Sequence, residues 1–224
     1  MSVRDLVLFG GPGGGAIVAQ SVRRLAAAGE GIRLLGFLND GLKAGDRVGG
    51  APVLGPFEAW RAQPDRASFL APLHKAKEMQ RRVARIRSLK VPDARWTSII
   101  DPAAFVADDA SIGGGSFVGP FAVVDTGVRL GRYVSLWPAA QIGHESAVGD
   151  FVFIGRAGIV SGRCVLGKGA HIGSAAVLLE NCRVGRYAVI GAGAVVVRDV
   201  PDYAIVAGNP AKIIGQLDPK DDPA

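Results

Sequence analysis

Cysteine and histidine are scarce: the 224-residue chain holds two cysteines and three histidines. Cys164 and Cys182 are too few for a disulfide framework, and no group of Cys and His residues has the spacing of metal ligands. No serine stands in a Gly-x-Ser-x-Gly segment, which excludes the nucleophile elbow of a serine hydrolase. We therefore expect reduced thiols in the core and no metal.

Long apolar runs are absent as well. None approaches the roughly 18 residues that a membrane-spanning helix requires, so we expect no membrane span. The first residues, MSVRDLVLFGG, lack the apolar stretch and the small-residue cleavage site of a secretion signal, which makes the cytoplasm the expected location. Apolar residues at 49% and charged residues at 21% exclude a disordered tail and indicate a packed core.

Charge is distributed unevenly. Residues 1–99 contain 16 Lys and Arg against 8 Asp and Glu, whereas residues 100–224 contain 10 against 12. A basic excess suits nucleic acid, a membrane surface or phosphate-bearing small molecules, and a solvated helix face is the plainer interpretation of the basic stretch at 75–90. That stretch has no interleaved aromatic residues, so we expect no nucleic-acid partner.

A hexapeptide repeat dominates the second half of the chain. Every sixth residue there is aliphatic: Val106, Ile112, Val118, Val124, Leu130, Leu136, Ile142, Val148, Ile154, Val160, Leu166, Ile172, Leu178, Val184, Ile190 and Val196. Such a repeat is typical of a β-solenoid, in which short strands stack their aliphatic side chains inward from one coil to the next. The sequence therefore predicts a solenoid of about five coils over residues 100–199.

Glycine adds a second period of 18 residues. In two of every three hexads the residue after the aliphatic position is glycine, with a single exception: Gly113, Gly131, Gly149, Gly167 and Gly185 in one column, and Gly119, Trp137, Gly155, Gly173 and Gly191 in the other. The third column is nearly devoid of glycine. Three hexads therefore make one triangular coil, and glycine is expected at corners where φ is positive or where backbones approach closely.

The front of the chain alternates strand and helix patterns. A strand at 3–9 ends in GGPGGG at 10–15, a helical pattern then runs to Gly29, and a second strand ends at Asn39 and Asp40. This order predicts a βαβ unit. A glycine turn before a helix presents free backbone amides to phosphate, and an acid after the second strand can bind ribose hydroxyls. A purely structural role for the glycine turn is the alternative.

Three further elements are predicted before the solenoid. Residues 51–60 indicate a loop and a short helix, residues 67–72 a third strand and residues 74–89 a third helix. Fewer than 100 residues cannot hold a complete dinucleotide-binding fold, so a half-Rossmann unit that binds a mononucleotide is expected.

His144 is the candidate for chemistry. It stands beside Glu145 in a hexad of the third column, which is nearly devoid of glycine. A neutral imidazole accepts a proton near neutral pH, and an adjacent carboxylate can orient it and raise its basicity. The plainer interpretation is a solvated corner histidine beside a solvated acid. His171 falls among the glycine columns and is expected to pack or to line a groove.

Three segments together resemble a known family. Ile99-Ile100-Asp101-Pro102 joins the front half to the solenoid, IGHES occupies 142–146, and GNPAK occupies 208–212. Over nearly its whole length the chain resembles the bacterial sugar acetyltransferases, which include the sialic acid O-acetyltransferases and the UDP- or GDP-4-amino-sugar N-acetyltransferases. The resemblance implies an α/β half-Rossmann (βαβαβ) domain at 1–95, then a left-handed parallel β-helix of hexapeptide repeats with a C-terminal tail at 96–224, in a homotrimer.

The resemblance also implies roles for residues. His144 would be the general base and Glu145 its support, at a site between neighbouring subunits. Acetyl-CoA would lie along the groove between adjacent helices, contacting Phe153, Gly155, Ser174 and Ala192. The nucleotide of the sugar would contact Pro12, Gly13, Gly14, Asn39 and Asp40. The implied reaction moves an acetyl group from acetyl-CoA to an amine or hydroxyl of a nucleotide-linked sugar, a 4-amino-4,6-dideoxy sugar for surface glycans.

The chain departs from the family pattern at four places. Family members often carry a histidine where this chain has Gly14, an aspartate where it has Asn39, an I-G-[DN]-N motif near residues 71–75, and a histidine where it has Phe153. The nucleotide and the shape of the CoA groove are therefore open. Two alternatives also stay open: a different acyl acceptor, and a non-catalytic trimeric binding scaffold.

Overall fold

The computed structural model describes residues 3–72 and 74–221, and it begins with an α/β unit. Its strands are β1 (Arg4–Phe9), β2 (Ile32–Leu38), β3 (Arg47–Val48), β4 (Ala51–Gly55) and β5 (Ser68–Leu70), and its helices are α1 (Gly14–Ala27) and α2 (Met79–Ser88), with short 3-10 helices at Phe57–Ala62 and Asp93–Arg95. The strands form one sheet in the order β3-β4-β2-β1-β5. All neighbours are parallel except β3 and β4.

The connection from β2 to β5 differs from the predicted one. Residues 51–60 were expected to form a loop and a short helix, but β4 occupies 51–55 and a 3-10 helix follows it. Gly49 and Gly50 both have positive φ, at 54° and 87°, which closes a two-residue hairpin between β3 and β4. The half-Rossmann order therefore has a hairpin and a 3-10 helix where a βαβαβ unit has its second α-helix.

Paired two-residue strands follow in a regular series. They are β6 (Ile99–Ile100), β7 (Phe105–Val106), β8 (Ser111–Ile112), β9 (Phe117–Val118), β10 (Val123–Val124), β11 (Arg129–Leu130), β12 (Ser135–Leu136), β13 (Gln141–Ile142), β14 (Ala147–Val148), β15 (Phe153–Ile154), β16 (Ile159–Val160), β17 (Val165–Leu166), β18 (His171–Ile172), β19 (Val177–Leu178), β20 (Arg183–Val184), β21 (Val189–Ile190) and β22 (Val195–Val196). A hairpin of β23 (Ala204–Ala207) and β24 (Lys212–Gln216) and a 3-10 helix at Pro219–Asp221 end the described chain.

Three sheets form the sides of the solenoid. Each strand from β9 to β19 pairs in parallel with the strands 18 residues before and after it, as the superperiod predicts. The sheet orders are β22-β19-β16-β13-β10-β7, β20-β17-β14-β11-β8 and β24-β23-β21-β18-β15-β12-β9-β6. We call the last of these the wall sheet. The predicted aliphatic ladder is the core, and Cys164 and Cys182 are free thiols buried in it.

Each coil has three corners, which we number from the wall sheet. The first corner follows a wall-sheet strand, as at Gly155; the second contains His144; and the third follows the five-stranded solenoid sheet, as at Gly149. The corner glycines themselves have ordinary negative φ, and positive φ falls two residues later, on Gly115 and every sixth residue through Gly193, with values from 49° to 78°. Of the two predicted reasons for corner glycine, close approach is therefore the correct one.

The gap between coils explains why those positions are glycine. A Cβ on Gly149 would lie 2.8 Å from the backbone nitrogen of Lys168, and one on Gly155 would lie 2.6 Å from that of Ser174. Neither neighbour is a side chain that could move aside. The two residues after each glycine face outward and are free to vary, which is how Tyr133 and Phe151 come to stand at third corners.

The α/β unit packs on the outer face of the wall sheet. Phe117, an outward residue of β9, is buried together with Leu6 of β1 and Ile99 of β6. Tyr133 and Phe151, stacked at 4.5 Å, pack on the same unit from the third corner. In the described part of the chain, no helix is long and apolar enough to cross a membrane.

We expect Gly149→Ala to destabilise the solenoid more than Gly193→Ala. The first adds a Cβ against backbone and should cost about 1–3 kcal/mol, as overpacking does. The second adds a Cβ with no atom within 4 Å and carries only the strain of its positive φ of 66°. Thermal and chemical denaturation of both variants measure the difference. An equal or larger loss in Gly193→Ala would contradict close approach as the constraint.

Candidate functional site

A pocket of about 520 Å³ lies between the α/β unit and the wall sheet. Its lining residues are Gly10, Gly11, Pro12, Gly14, Gly15, Asn39, Asp40, Gly41, Phe57, Pro72, His74, Arg82, Trp137, Phe153 and His171. The pocket therefore has one wall from the ends of β1 and β2 and the other from outward residues of the solenoid. Leu73, within the segment 71–75 that departs from the family motif, lies outside the described residues.

The glycine turn forms the first wall. Gly13 caps α1 with φ at 83°, no side chain bonds to the cap, and the first turn of the helix holds no acidic residue. The first amides of a helix have no partner within it, and they carry the positive end of the helix dipole. This wall is built to attract an anion. Pro12 and Gly14 line the pocket, and Gly13 shapes the turn between them.

Asn39 and Asp40 complete this wall and also hold it together. Asn39 donates from Nδ2 to the carbonyl of Gly10 at 3.0 Å, which ties the end of β2 to the glycine turn. Asp40 accepts from the backbone amide of Phe57 at 2.7 Å and from Arg85 at 2.9 Å. Oδ2 accepts from both Nε and Nη2 of Arg85, whereas Oδ1 accepts only from Phe57 and can still accept from a ligand hydroxyl.

Aromatic rings form the opposite wall. Phe153 lies between two imidazoles, with ring centroids 4.6 Å from His74 and 4.5 Å from His171. Trp137 flanks it at 5.6 Å, and Nε2 of His74 is 2.8 Å from Oγ of Ser135. Three of these residues are the outward members of β12, β15 and β18. His171 thus packs and lines the groove, as the sequence predicts.

Both imidazoles of this wall are neutral at neutral pH. Burial lowers the pKa of His74 to about 3, with His171 and Arg82 adding to the shift. Burial likewise lowers the pKa of His171 to about 4. A general base works best with a pKa near the working pH, so these two histidines are poor bases but suitable hydrogen-bonding groups.

His144 lies elsewhere, at a second corner. Its Nδ1 is 3.4 Å from Oε2 of Glu145, and its side chain is 37% exposed. The ring covers Gly162 in the next coil, where a Cβ would lie 2.7 Å from Cε1 of the imidazole. Arg163 approaches Glu145 at 3.9 Å and pairs with Glu180 at 2.5 Å. The carboxylate beside His144 is thus held between an imidazole and a guanidinium.

The remaining predicted residues lie along the first corner. Gly155, Ser174 and Ala192 occupy it in successive coils, and the last two are exposed. Phe153 precedes Gly155 in the same coil but turns its ring into the pocket. The structure therefore brings Phe153 together with the residues predicted for the nucleotide. His144 is not among the residues that line this pocket.

Sequence reasoning missed Arg82 and Trp137 as pocket residues. Arg82 was one of many basic residues in a predicted helix, and nothing in its spacing distinguished it. Trp137 carried a signal, because it alone breaks a column of glycines. Across residues 3–72 and 74–221, no group of three or more His, Cys, Asp or Glu side chains could hold a metal ion.

Comparisons with known proteins agree with this architecture. A family model of the bacterial transferase hexapeptide (six repeats) matches residues 163–198, and no curated protein matches the sequence. The acetyltransferase domain of PglB from Neisseria gonorrhoeae FA1090 is 30% identical, with a TM-score of 0.82 and coverage of 94% of this chain and 100% of that chain. The chain belongs to the hexapeptide-repeat sugar acetyltransferases.

Two ligand-bound structures are also similar to this sugar acetyltransferase. The same PglB domain in complex with acetyl coenzyme A has 30% identity and a TM-score of 0.81, covering 95% of this chain and 100% of that one. A His-to-Asn mutant of perosamine N-acetyltransferase from Caulobacter crescentus, in complex with CoA and GDP-perosamine, has 26% identity and a TM-score of 0.80, covering 95% and 97%. The predicted α/β domain and left-handed β-helix are thereby confirmed, as is the enzyme class.

The acetyltransferase should keep His74 and His171 neutral throughout the range from pH 8 to pH 5. Their imidazole proton resonances, assigned by loss in His74→Asn and His171→Asn, should not move in an NMR titration. Because their pKa values are lowered from 6.5, their contribution to stability is present above about pH 6.5 and declines as the pH falls toward 4 and 3. Titration of either resonance between pH 6 and 7 would contradict the burial argument.

Proposed function

We propose that this protein moves the acetyl group of acetyl-CoA onto an amine or hydroxyl of a nucleotide-linked sugar, a 4-amino-4,6-dideoxy sugar for surface glycan synthesis. Residues 1–95 would bind the nucleotide sugar, and residues 96–224 would bind acetyl-CoA and carry the catalysis. The observation that carries the proposal is the pocket that joins an anion-attracting glycine turn to the wall of an acyltransferase solenoid. The relatives bound to acetyl-CoA and to CoA with GDP-perosamine support both substrates.

The first corner suits the acyl donor. Pantetheine is a slender chain with two amide groups. It suits a groove lined by small residues whose backbone N–H groups are free to donate. In the described part of the chain the backbone amides of Ser174 and Ala192 donate no hydrogen bond, and both residues are exposed. Because a Cβ on Gly155 has no room, no side chain projects into this groove at that position. Phe153, in the same coil as Gly155, borders both this groove and the pocket.

The glycine turn suits the nucleotide. Gly13, Gly14 and Pro12 would approach the phosphates, and Asn39 and Asp40 would bind hydroxyls while holding the turn in place. Burial of the pocket between two walls excludes water from the polar groups of the ligand. The departures from the family at Gly14 and Asn39 would change which nucleotide is preferred rather than remove the site.

His144 would act as the general base. It accepts a proton from the acceptor amine or hydroxyl while the nitrogen or oxygen of that group bonds to the acetyl carbon. The thioester C–S bond then breaks, and CoA leaves as its thiolate. Glu145 orients the imidazole and stabilises its charge after proton transfer. Backbone amides of the groove stabilise the charge that develops on the carbonyl oxygen. The low pKa values of His74 and His171 leave His144 as the one suitable histidine.

The separation of His144 from the pocket supports a homotrimer. Within one copy the base and the sugar pocket lie on different sides of the prism, so a second copy would have to bring its His144 to the pocket. Leu179 and Val197 occupy the His144 corner in coils further along and are 45% and 43% exposed, which suits a contact between copies. Because acetyl-CoA is a metabolite of the cytoplasm, the proposal places the enzyme there.

The function is tested by thiol release from acetyl-CoA with UDP- and GDP-linked 4-amino sugars, and with the free sugars as controls. We expect saturable turnover with one nucleotide-linked sugar, a loss of about 10²-fold or more in His144→Ala, and a smaller loss in Glu145→Gln. Both variants should melt at the wild-type temperature because these side chains are exposed or half-buried. Absence of saturable acetyl-CoA binding would favour a non-catalytic scaffold. Full activity of His144→Ala would overturn the assignment of His144 as the general base.

The place of the imidazole can be tested without deleting it. Gly162→Ala puts a Cβ against the His144 ring, and misplacement of a catalytic group by about 1 Å can cost about 10²-fold. We expect kcat to fall about 10-fold to 10²-fold. Gly114→Ala is the matched control, since Gly114 holds the same position in another corner and its nearest neighbour would be 3.5 Å away. Equal kcat in the two variants would contradict the assigned position of the base.

A further inference from the structure

Trp137 stands where the repeat calls for glycine. The other members of its column are Gly119, Gly155, Gly173 and Gly191. Its indole reaches out of the solenoid toward the glycine turn, where a Cβ on Gly14 would lie 3.3 Å from Cζ2 of the ring. The tryptophan therefore touches the first turn of α1 and occupies the space that a larger side chain at position 14 would need. Arg156 covers its ring at 5.4 Å.

The indole N–H has no partner inside the protein. Nε1 of Trp137 is fully buried and donates no hydrogen bond among the residues described. Trp60 shows the ordinary case, since its Nε1 donates to the carbonyl of Leu89 at 3.1 Å. An indole nitrogen is a donor only, so the missing partner must be an acceptor. Buried donors are rarely left unpaired without a functional reason.

The direction of this donor is set by the ring contact. Cζ2 is two bonds from Nε1, so Nε1 lies close to the first turn of α1, whose first amides have no partner within the helix. Nε of Arg82, which lines the same pocket, is likewise buried and unpartnered, although its Nη2 is 3.6 Å from Glu78. Donors from three separate elements, one of them a guanidinium, thus belong to residues that line the same pocket.

The other charges and orphan atoms of the pocket agree with an oxyanion. Asp40 is the one carboxylate among the lining residues described, and Arg85 pairs with it from outside the pocket. Nδ1 of His74 and Nδ1 of His171 are also unpartnered, and both rings are neutral at neutral pH, so they can donate or accept. Phosphate is the common biological group that offers several acceptors and a negative charge at once.

We propose that Trp137 is a specificity-determining residue that donates its indole N–H to a phosphate oxygen of the nucleotide-linked sugar. The solenoid thereby completes the anion site at the start of α1, with Arg82 as the counter-charge. This inference rests on the proposed function for the identity of the ligand. It adds that the solenoid, and not the α/β unit alone, selects the phosphorylated substrate.

The test is calorimetric titration of wild type and Trp137→Phe with UDP, GDP, uridine and guanosine. Phenylalanine keeps an apolar ring and removes the N–H. A hydrogen bond to a charged group is worth about 10-fold or more in affinity, so we expect the preferred nucleoside diphosphate to bind Trp137→Phe about 10-fold more weakly. Binding of the nucleosides and of acetyl-CoA should not change. Trp60→Phe is the matched control and should lower the melting temperature without changing affinity.

A second measurement uses the wild-type protein alone. The ¹⁵N–H resonance of the Trp137 indole, assigned by its loss in Trp137→Phe, should shift when the nucleoside diphosphate saturates the pocket. A resonance that does not move, or equal diphosphate affinity in the two proteins, would overturn the inference. So would weaker binding of the nucleotide sugar with unchanged binding of the diphosphate, because the donor would then contact the sugar.

Failure of the proposed function gives a different pattern. If Trp137→Phe weakens diphosphate binding but wild type releases no thiol with any nucleotide-linked sugar, the phosphate contact stands and the acetyl-transfer assignment falls. If wild type catalyses the transfer and Trp137→Phe binds diphosphate normally, the transfer stands and the role of Trp137 falls. Absence of diphosphate binding to wild type overturns the phosphate contact directly.

Discussion

The coils of the solenoid stack so closely that a Cβ on Gly149 or Gly155, the first residues of two different corners, would have no room. At Gly149 and Gly155 the obstacle is the backbone of the next coil, which cannot move without breaking the sheets on either side. This constraint favours glycine at those two corners, where Trp137 is the exception, and Gly143 would meet the same obstacle at the second corner. Function is then placed in the positions that the constraint leaves free: the turn residues after each glycine, the outward strand residues and the second corner.

The outward row of the wall sheet shows how one repeat produces both an interface and a pocket. Phe117 is fully buried against the α/β unit, and 18 residues later Ser135 is tied to His74. One and two coils further, Phe153 and His171 form the pocket wall instead. Along this row the α/β unit therefore rests on the early coils and leaves a gap at the later ones, where α2 still bonds to the C-terminal segment through Gln80 and the carbonyl of Asp218. The pocket begins where the outward residues of the wall sheet stop contacting the α/β unit, between Ser135 and Phe153.

The solenoid could be predicted strand by strand because its signal is periodic. Each of the 16 aliphatic residues from Val106 to Val196 is the second residue of a strand from β7 to β22. The β3–β4 hairpin was missed although Gly49-Gly50 is a typical two-residue turn, since strands of two to five residues give no periodicity. The solenoid was predicted and the hairpin was missed because the hexapeptide pattern recurs many times along the chain, whereas the hairpin pattern occurs only once.

The pocket could not be predicted from spacing, because its walls meet through contacts between residues far apart in the chain. His74 bonds to Ser135, and Gly14 touches Trp137, with at least 60 residues between the partners in each case. A single sequence records neither contact. What it does record is the irregularity that a contact requires, as at Trp137, where a glycine column is broken. Exceptions within a repeat are therefore the sequence positions at which such contacts are best sought.

Burial explains why recognition and proton transfer occupy different parts of the molecule. The pocket wall binds by enclosing its polar groups, and the same enclosure lowers the pKa of His74 and His171 until neither is an effective base. A histidine that must take up a proton near neutral pH needs solvent or a carboxylate beside it, and the second corner supplies both to His144. A single position in one copy cannot both enclose the ligand and leave a histidine accessible enough to take up a proton. In the proposed trimer these two demands are met together, because each copy supplies an enclosed wall to one site and an exposed base to the next.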